Sequence, residues 1–212
     1  DQNLDLRQAF ILTTMSWMTI AIFGALPFYL SNMSLDFTNS FFESMSGITT
    51  TGSTVIENIE ASPPGILVWR ALLQWLGGIG VIVMAIAIFP MLSVGGMQLF
   101  KTENFEAPEK VIPRATSLTR GIFFIYSFLT LIWAGLLYLS GMKPFDAILH
   151  SMTTIATGGF STKSSSIGAF DSHIIDWIII LGMVFGSLPF IHYLAFTRGS
   201  FNELIKDSQV RL

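Results

Sequence analysis

Two polar loops set into otherwise apolar sequence constrain this chain more than any other feature. They read Thr49-Thr50-Thr51-Gly52-Ser53-Thr54 and Ala156-Thr157-Gly158-Gly159-Phe160-Ser161. Shifting the sequence along itself by 107 positions superposes them without a gap: Ser44, Met45, Ile48, Thr50 and Gly52 fall on Ser151, Met152, Ile155, Thr157 and Gly159. A short apolar stretch leads into each loop, and a long apolar segment lies on either side. Gly52 and Gly159 each stand 14 positions before the next long segment, at Ile66 and His173. Self-similarity at one fixed spacing marks a repeated structural unit. The unit here is a long helix, a short helix, a Thr/Gly turn and a second long helix.

The solvent for such a unit follows from composition. Hydrophobic residues make up 51% of the chain and charged residues 12%, with a mean hydropathy of +0.63. Soluble domains carry about 25% charge, and about 20 apolar residues span a bilayer core. Four segments meet that length: Gln8–Leu30, Ile66–Phe89, Leu118–Leu139 and Ile174–Phe196. An even number of spans puts both termini on one side. That side then holds Arg7, Lys101, Lys110, Arg114, Arg120, Arg198, Lys206 and Arg211, against Arg70, Lys143 and Lys163 on the other. The positive-inside rule makes the richer side, with both termini, cytoplasmic. The outer side carries Asp36, Glu43, Glu57, Glu60, Asp146, Asp171 and Asp176, and a negative mouth concentrates cations. The absence of cysteine excludes disulfides and thiolate metal sites.

Leu35–Gly47 is too short to cross the membrane, so it is expected to dip in and return. Asp36 is a suitable N-cap for a helix starting at Phe37, and Pro144 suits the first turn of the matching helix to about Ile155. Both helices would point their C-terminal, negative dipole ends inward, where a cation is favoured. Irregular backbone is tolerated at membrane depth only where protein buries it or a wet cavity lines it. Glycine lets successive carbonyls turn toward one axis, threonine adds hydroxyl oxygen, and rings of such oxygens replace the water around an alkali cation.

Other residues carry weaker signals. Pro27, Pro90 and Pro189 lie in or at the ends of long segments, and Pro189 with Gly182 and Gly186 is read as a kink in the last helix. Gly77, Gly78 and Gly80 are expected to let helices pack closely. Glu43 and His150 occupy matching positions, with filter support and interfacial exposure both open. Arg70 is expected to anchor at the interface, with pairing to an outer carboxylate as the second reading, and Trp17, Trp69, Trp75, Trp133 and Trp177 to include interfacial belt residues. The stretch Lys101–Arg120 reads as a solvated connector. No phosphate loop, dinucleotide fingerprint or nucleophile motif with a partnered histidine occurs, so no enzyme activity and no cofactor are expected.

Five stretches together resemble the Trk/Ktr/HKT superfamily of potassium transporters, and its bacterial members most. They are Phe42-Glu43-Ser44-Met45-Ser46-Gly47-Ile48-Thr49-Thr50-Thr51-Gly52, Gln74-Trp75-Leu76-Gly77-Gly78-Ile79-Gly80, Gly95-Gly96-Met97-Gln98-Leu99, Thr154-Ile155-Ala156-Thr157-Gly158-Gly159-Phe160-Ser161-Thr162 and Asp207-Ser208-Gln209-Val210-Arg211. The resemblance implies an all-α integral membrane fold of tandem helix–pore helix–filter loop–helix units, as in potassium channels. Residues 1–100 would form the first unit, 101–117 a cytoplasmic connector and 118–212 the second unit. The filter would comprise Thr50, Thr51, Gly52 and Ser53 with Thr157, Gly158, Gly159 and Phe160. Glycine at positions 52 and 159 implies potassium, taken up across the bacterial inner membrane. Family members place four units around one pore, so the chain is expected to need two more, from a longer polypeptide or a second copy. A homodimer and a cytosolic nucleotide-binding regulatory subunit are implied as partners, and no nucleic acid. A non-conducting structural or assembly subunit is the alternative.

Overall fold

The computed structural model describes residues 6–92 and 111–197. Residues 101–110 of the expected connector, the Gly95–Leu99 and Asp207–Arg211 stretches, and the charges at Lys101, Lys110, Arg198, Lys206 and Arg211 lie outside them. The order is α1 (Leu6–Tyr29), α2 (Phe37–Ile48), a 3₁₀ turn (Ile59–Ala61), α3 (Pro64–Leu92), α4 (Val111–Leu139), α5 (Pro144–Ile155), a 3₁₀ turn (Ser166–Phe170), α6 (His173–Ser187) and α7 (Phe190–Thr197). No strand occurs among the described residues. Among the described residues, three helices are long and apolar enough to cross a membrane, over Phe10–Tyr29, Pro64–Ile82 and Leu118–Leu139. The outward side chains are apolar, with Phe23, Leu131 and Leu139 well exposed, as a lipid-facing or partner-facing surface requires.

The repeat is built in register. α2 and α5 are each 12 residues long and begin and end at matching positions, and so do the starts of the two 3₁₀ turns, Ile59 and Ser166. Different residues start the two short helices. The Asp36 carboxylate accepts from Asn39 N at 2.7 Å, which satisfies one of the free N–H groups of a first turn. Pro144 at the start of α5 has no N–H to satisfy.

Glycines set the helix spacing, as expected at Gly77 and also at Gly186, which the sequence reads as part of a kink. A Cβ on Gly77 would sit 2.0 Å from Ile48 O, and one on Gly186 2.5 Å from Ile155 O. Ile48 and Ile155 end α2 and α5, so each inner helix leans its glycine on the end of its own short helix. Within the second half, Ile122, Tyr126, Leu129, Trp133, Ile155, Ala156, Phe190 and Leu194 form one apolar core, and Trp75 of the first half packs on it.

The fourth expected span, Ile174–Phe196, is not one helix. It breaks between α6 and α7 at Leu188, whose backbone is extended (φ −68°, ψ 143°). Proline disfavours the helical conformation of the residue before it, and Pro189 cannot donate to Phe185 O. The Tyr193 hydroxyl donates to that carbonyl instead, at 2.8 Å. The break is therefore satisfied internally, as membrane-embedded backbone demands.

Candidate ion-conducting filter

Each short helix runs out into a loop with the same backbone. Thr50 (φ 55°) and Gly52 (φ 80°) match Thr157 (φ 52°) and Gly159 (φ 83°). Glycine adopts this left-handed region freely, whereas a β-branched threonine there is strained. Such strain persists only when the surroundings over-determine it. Here the N–H groups of Thr50 and Thr51 donate to Gly47 O and Ser46 O (3.0 and 2.9 Å), and those of Thr157 and Gly158 to Thr154 O and Thr153 O (2.9 and 2.8 Å). The ends of α2 and α5 thus hold the loops, and neither helix has a basic residue in its last turn to neutralise its dipole.

The two loops that hold the expected filter residues meet at Gly52 and Gly158. Gly52 lies against the other loop, so that a Cβ on it would meet Gly158 O at 2.1 Å. Thr51, Ser53, Thr157 and Gly159 are exposed, Thr50 and Gly52 half-buried, and Gly158 and Phe160 buried. Among the described residues, no hydrogen bond ends on the carbonyls of Thr50, Thr51, Gly52, Thr157 or Gly159. Two of the loop carbonyls are engaged: Ser53 O accepts from Ser46 Oγ at 2.6 Å, and Gly158 O from Gln74 Nε2 at 2.9 Å. The Phe160 side chain lies under the Arg70 guanidinium, 4.1 Å from its carbon, where a cation meets the negative face of a ring.

In the polar layer behind the loops, Arg70 follows its second reading, a pair with an outer carboxylate, and not the first. It is not an interfacial anchor: 1% of its surface is exposed. Its Nε donates to Glu43 Oε1 at 2.8 Å and its Nη1 to Ser161 O at 2.9 Å. The helical register of α3 turns it toward the loops, and the fixed carboxylate there offsets the cost of burying a charge. Glu43 also accepts from the Thr54 hydroxyl at 2.9 Å and from Val55 N at 3.1 Å. His150, its counterpart, is buried, with Nδ1 2.8 Å from Asp146 O and Nε2 3.0 Å from Ser161 Oγ. Both residues support the loops and neither lies at the interface.

Sequence reasoning gave Gln74 no role. It is fully buried, and its amide donates to Gly158 O while accepting from Phe160 N at 3.0 Å. The visible signal was an amide in the apolar centre of a spanning segment, one turn beyond an arginine. A small cavity of about 10 Å³ lies nearby, lined by Arg70, Thr153, Phe160, Ser161 and Thr162 among others.

At the outer rim the halves join again. Ser164 donates from N to Glu60 Oε1 at 2.9 Å and from its hydroxyl to Glu60 Oε2, and it accepts from Ile59 N at 3.3 Å. The Ser164 hydrogen bonds hold the Glu60 carboxyl below its ordinary pKa. No cluster of three or more acidic or histidine side chains suited to a metal ion occurs among the described residues.

A family model described as TrkH, cation transport protein, matches residues 1–211. The chain is 48% identical to the Trk system potassium uptake protein TrkI of Halomonas elongata over 96% of its length, covering 42% of that protein. It is 40% identical to the Trk system potassium uptake protein TrkH of Escherichia coli over 99% of its length, covering 44% of it. The crystal structure of the potassium transporter TrkH from Vibrio parahaemolyticus superposes on the whole chain with a TM-score of 0.87 at 38% identity, and the chain covers 43% of that structure. The chain thus spans less than half the length of the relatives it matches. The match runs nearly end to end and takes in both Thr/Gly loops: this chain belongs to the TrkH family of cation transport proteins.

Proposed function

We propose that the chain contributes two of the four pore units of a potassium uptake pathway in a bacterial cytoplasmic membrane, with both termini on the cytoplasmic side. The observation that carries this reading is the pair of matching left-handed Thr/Gly loops at the dipole-negative ends of two short helices. Five loop carbonyls there are unengaged among the described residues. Such oxygens act as ligands for a dehydrated alkali cation, and a hydrated ion leaves water for them only where they are preset. Thr50–Ser53 and Thr157–Phe160 are the filter segments. Ser53 and Gly158, whose carbonyls already accept hydrogen bonds, serve more in its walls. The relatives named as Trk potassium uptake proteins support potassium as the ion. Two loops enclose only part of a fourfold ring, so two further units complete it. Dimerisation and a cytosolic nucleotide-binding subunit belong to the same reading, on family resemblance. Residues 1–100 and 118–212 form the units, with 101–117 between them.

The test is rubidium uptake into liposomes containing the chain alone, or the chain joined to the rest of the Vibrio TrkH. Each is compared with a version in which Gly52 and Gly159 are both replaced by alanine. Flux that the double replacement abolishes supports the reading. Flux unaffected by it, or no flux from either folded form, refutes it in favour of a non-conducting subunit.

A further inference from the structure

We infer that Gln74 is a positioning residue that sets the ion selectivity of the second filter loop from the helix of the first half. The inference rests on the filter reading above and goes beyond it. Gly158 and Gly159 are adjacent glycines, the one pair within either loop, and both peptides flanking Gly159 lack a Cβ on at least one side to limit their rotation. The Gln74 amide grips both of them. It donates to Gly158 O at 2.9 Å and accepts from Phe160 N at 3.0 Å, bracketing Gly159. The first loop has no such need, since Thr51 stands where the second has Gly158, and Ser46 Oγ holds Ser53 O from within the same half.

The grip is rigid for physical reasons. Gln74 is fully buried, so neither of its bonds exchanges readily with water, and an unmade one leaves a buried polar group unsatisfied. Fit is tight as well: a Cβ on Gly158 would lie 2.4 Å from Gln74 Cδ and Oε1. One turn away on the same helix, Arg70 holds Ser161 O and covers the Phe160 ring. Together they fix the loop from Gly158 to Ser161. With Gln74 in place, the Gly158 carbonyl is held by the amide and those of Thr157 and Gly159 are left for the ion. Without it, the Gly158 peptide is free to turn, and the loop offers cations a variable set of oxygens.

The experiment uses the assembly that conducts in the liposome assay and measures the ratio of rubidium to sodium flux, which is independent of how much protein is active. Gln74→Leu removes both bonds at similar volume. Gly158→Ala attacks the same grip from the loop, at a residue whose φ is not left-handed. Each is expected to lower the ratio by about fivefold or more, the scale of one neutral hydrogen bond. Gly158→Ala keeps the inference testable if Gln74→Leu does not fold. A parent that discriminates, with variants that keep its ratio within about twofold, overturns the role of Gln74 alone. A parent that does not discriminate overturns the filter reading, and this inference with it.

Discussion

Gly52 and Gly159 share a backbone conformation but not an environment. Both have left-handed φ, yet a Cβ at Gly52 meets Gly158 O at 2.1 Å, whereas one at Gly159 meets nothing within 4 Å. Gly159→Ala is therefore expected to add only the left-handed strain of about 1–2 kcal/mol. Gly52→Ala adds a collision with backbone that cannot yield, about 1–3 kcal/mol further. Thermal unfolding of the two single variants in detergent checks the order, and equal losses would contradict it. The loops themselves were readable from sequence because the Thr/Gly pattern and its spacing are local. The polar layer behind them was not. Arg70 is 27 residues from Glu43 and 91 from Ser161, and Gln74 is 84 and 86 from its two partners. No local pattern records a pairing at that distance.

At the scale of elements, caps and proline chemistry placed α2 and α5 correctly from sequence, down to Asp36 and Pro144. The last span shows where that reading stopped. Pro189 marked a kink, but a full break between α6 and α7 requires something to take the carbonyl that proline deserts. Tyr193 does so, from one turn inside α7. Tyr193→Phe keeps the ring contact with Phe190 and removes only the donor. It is expected to cost about 1–3 kcal/mol, the penalty for an unsatisfied polar group away from water. Hydrogen exchange should rise locally across residues 185–194. Unchanged exchange there would mean that packing alone, through Phe190 and Leu194 in the apolar core, holds the break.

For the whole molecule, the halves are fastened at three depths: Trp75 and Tyr126 in the helix layer, Arg70 and Gln74 behind the Thr/Gly loops, and Glu60 at the rim. Only the rim tie is open to solvent. The folded state depresses the Glu60 pKa below 4.5. Its contribution is therefore complete above the unfolded value and disappears as pH falls through the lower, folded one. The stability difference between the parent and Glu60→Gln should be constant at neutral pH and vanish once the medium is acid enough to protonate the folded carboxylate. A difference that persists there would show that Ser164 holds the protonated acid as well. The buried fastenings should be insensitive to salt, unlike this exposed one.

The repeat is equal in outline and unequal in dependence. Shifted by 107 positions, Arg70 and Gln74 become Trp177 and Leu181, and neither offers a guanidinium or an amide to a loop that follows. The first half can make its loop from its own residues, while the second borrows from a helix that the ribosome delivers earlier. Synthesis from the N-terminus therefore puts the template in the membrane before the loop it shapes. Reversing the gene order of the two halves would break that sequence of events even with every residue retained: a repeat alike in shape has a direction in time.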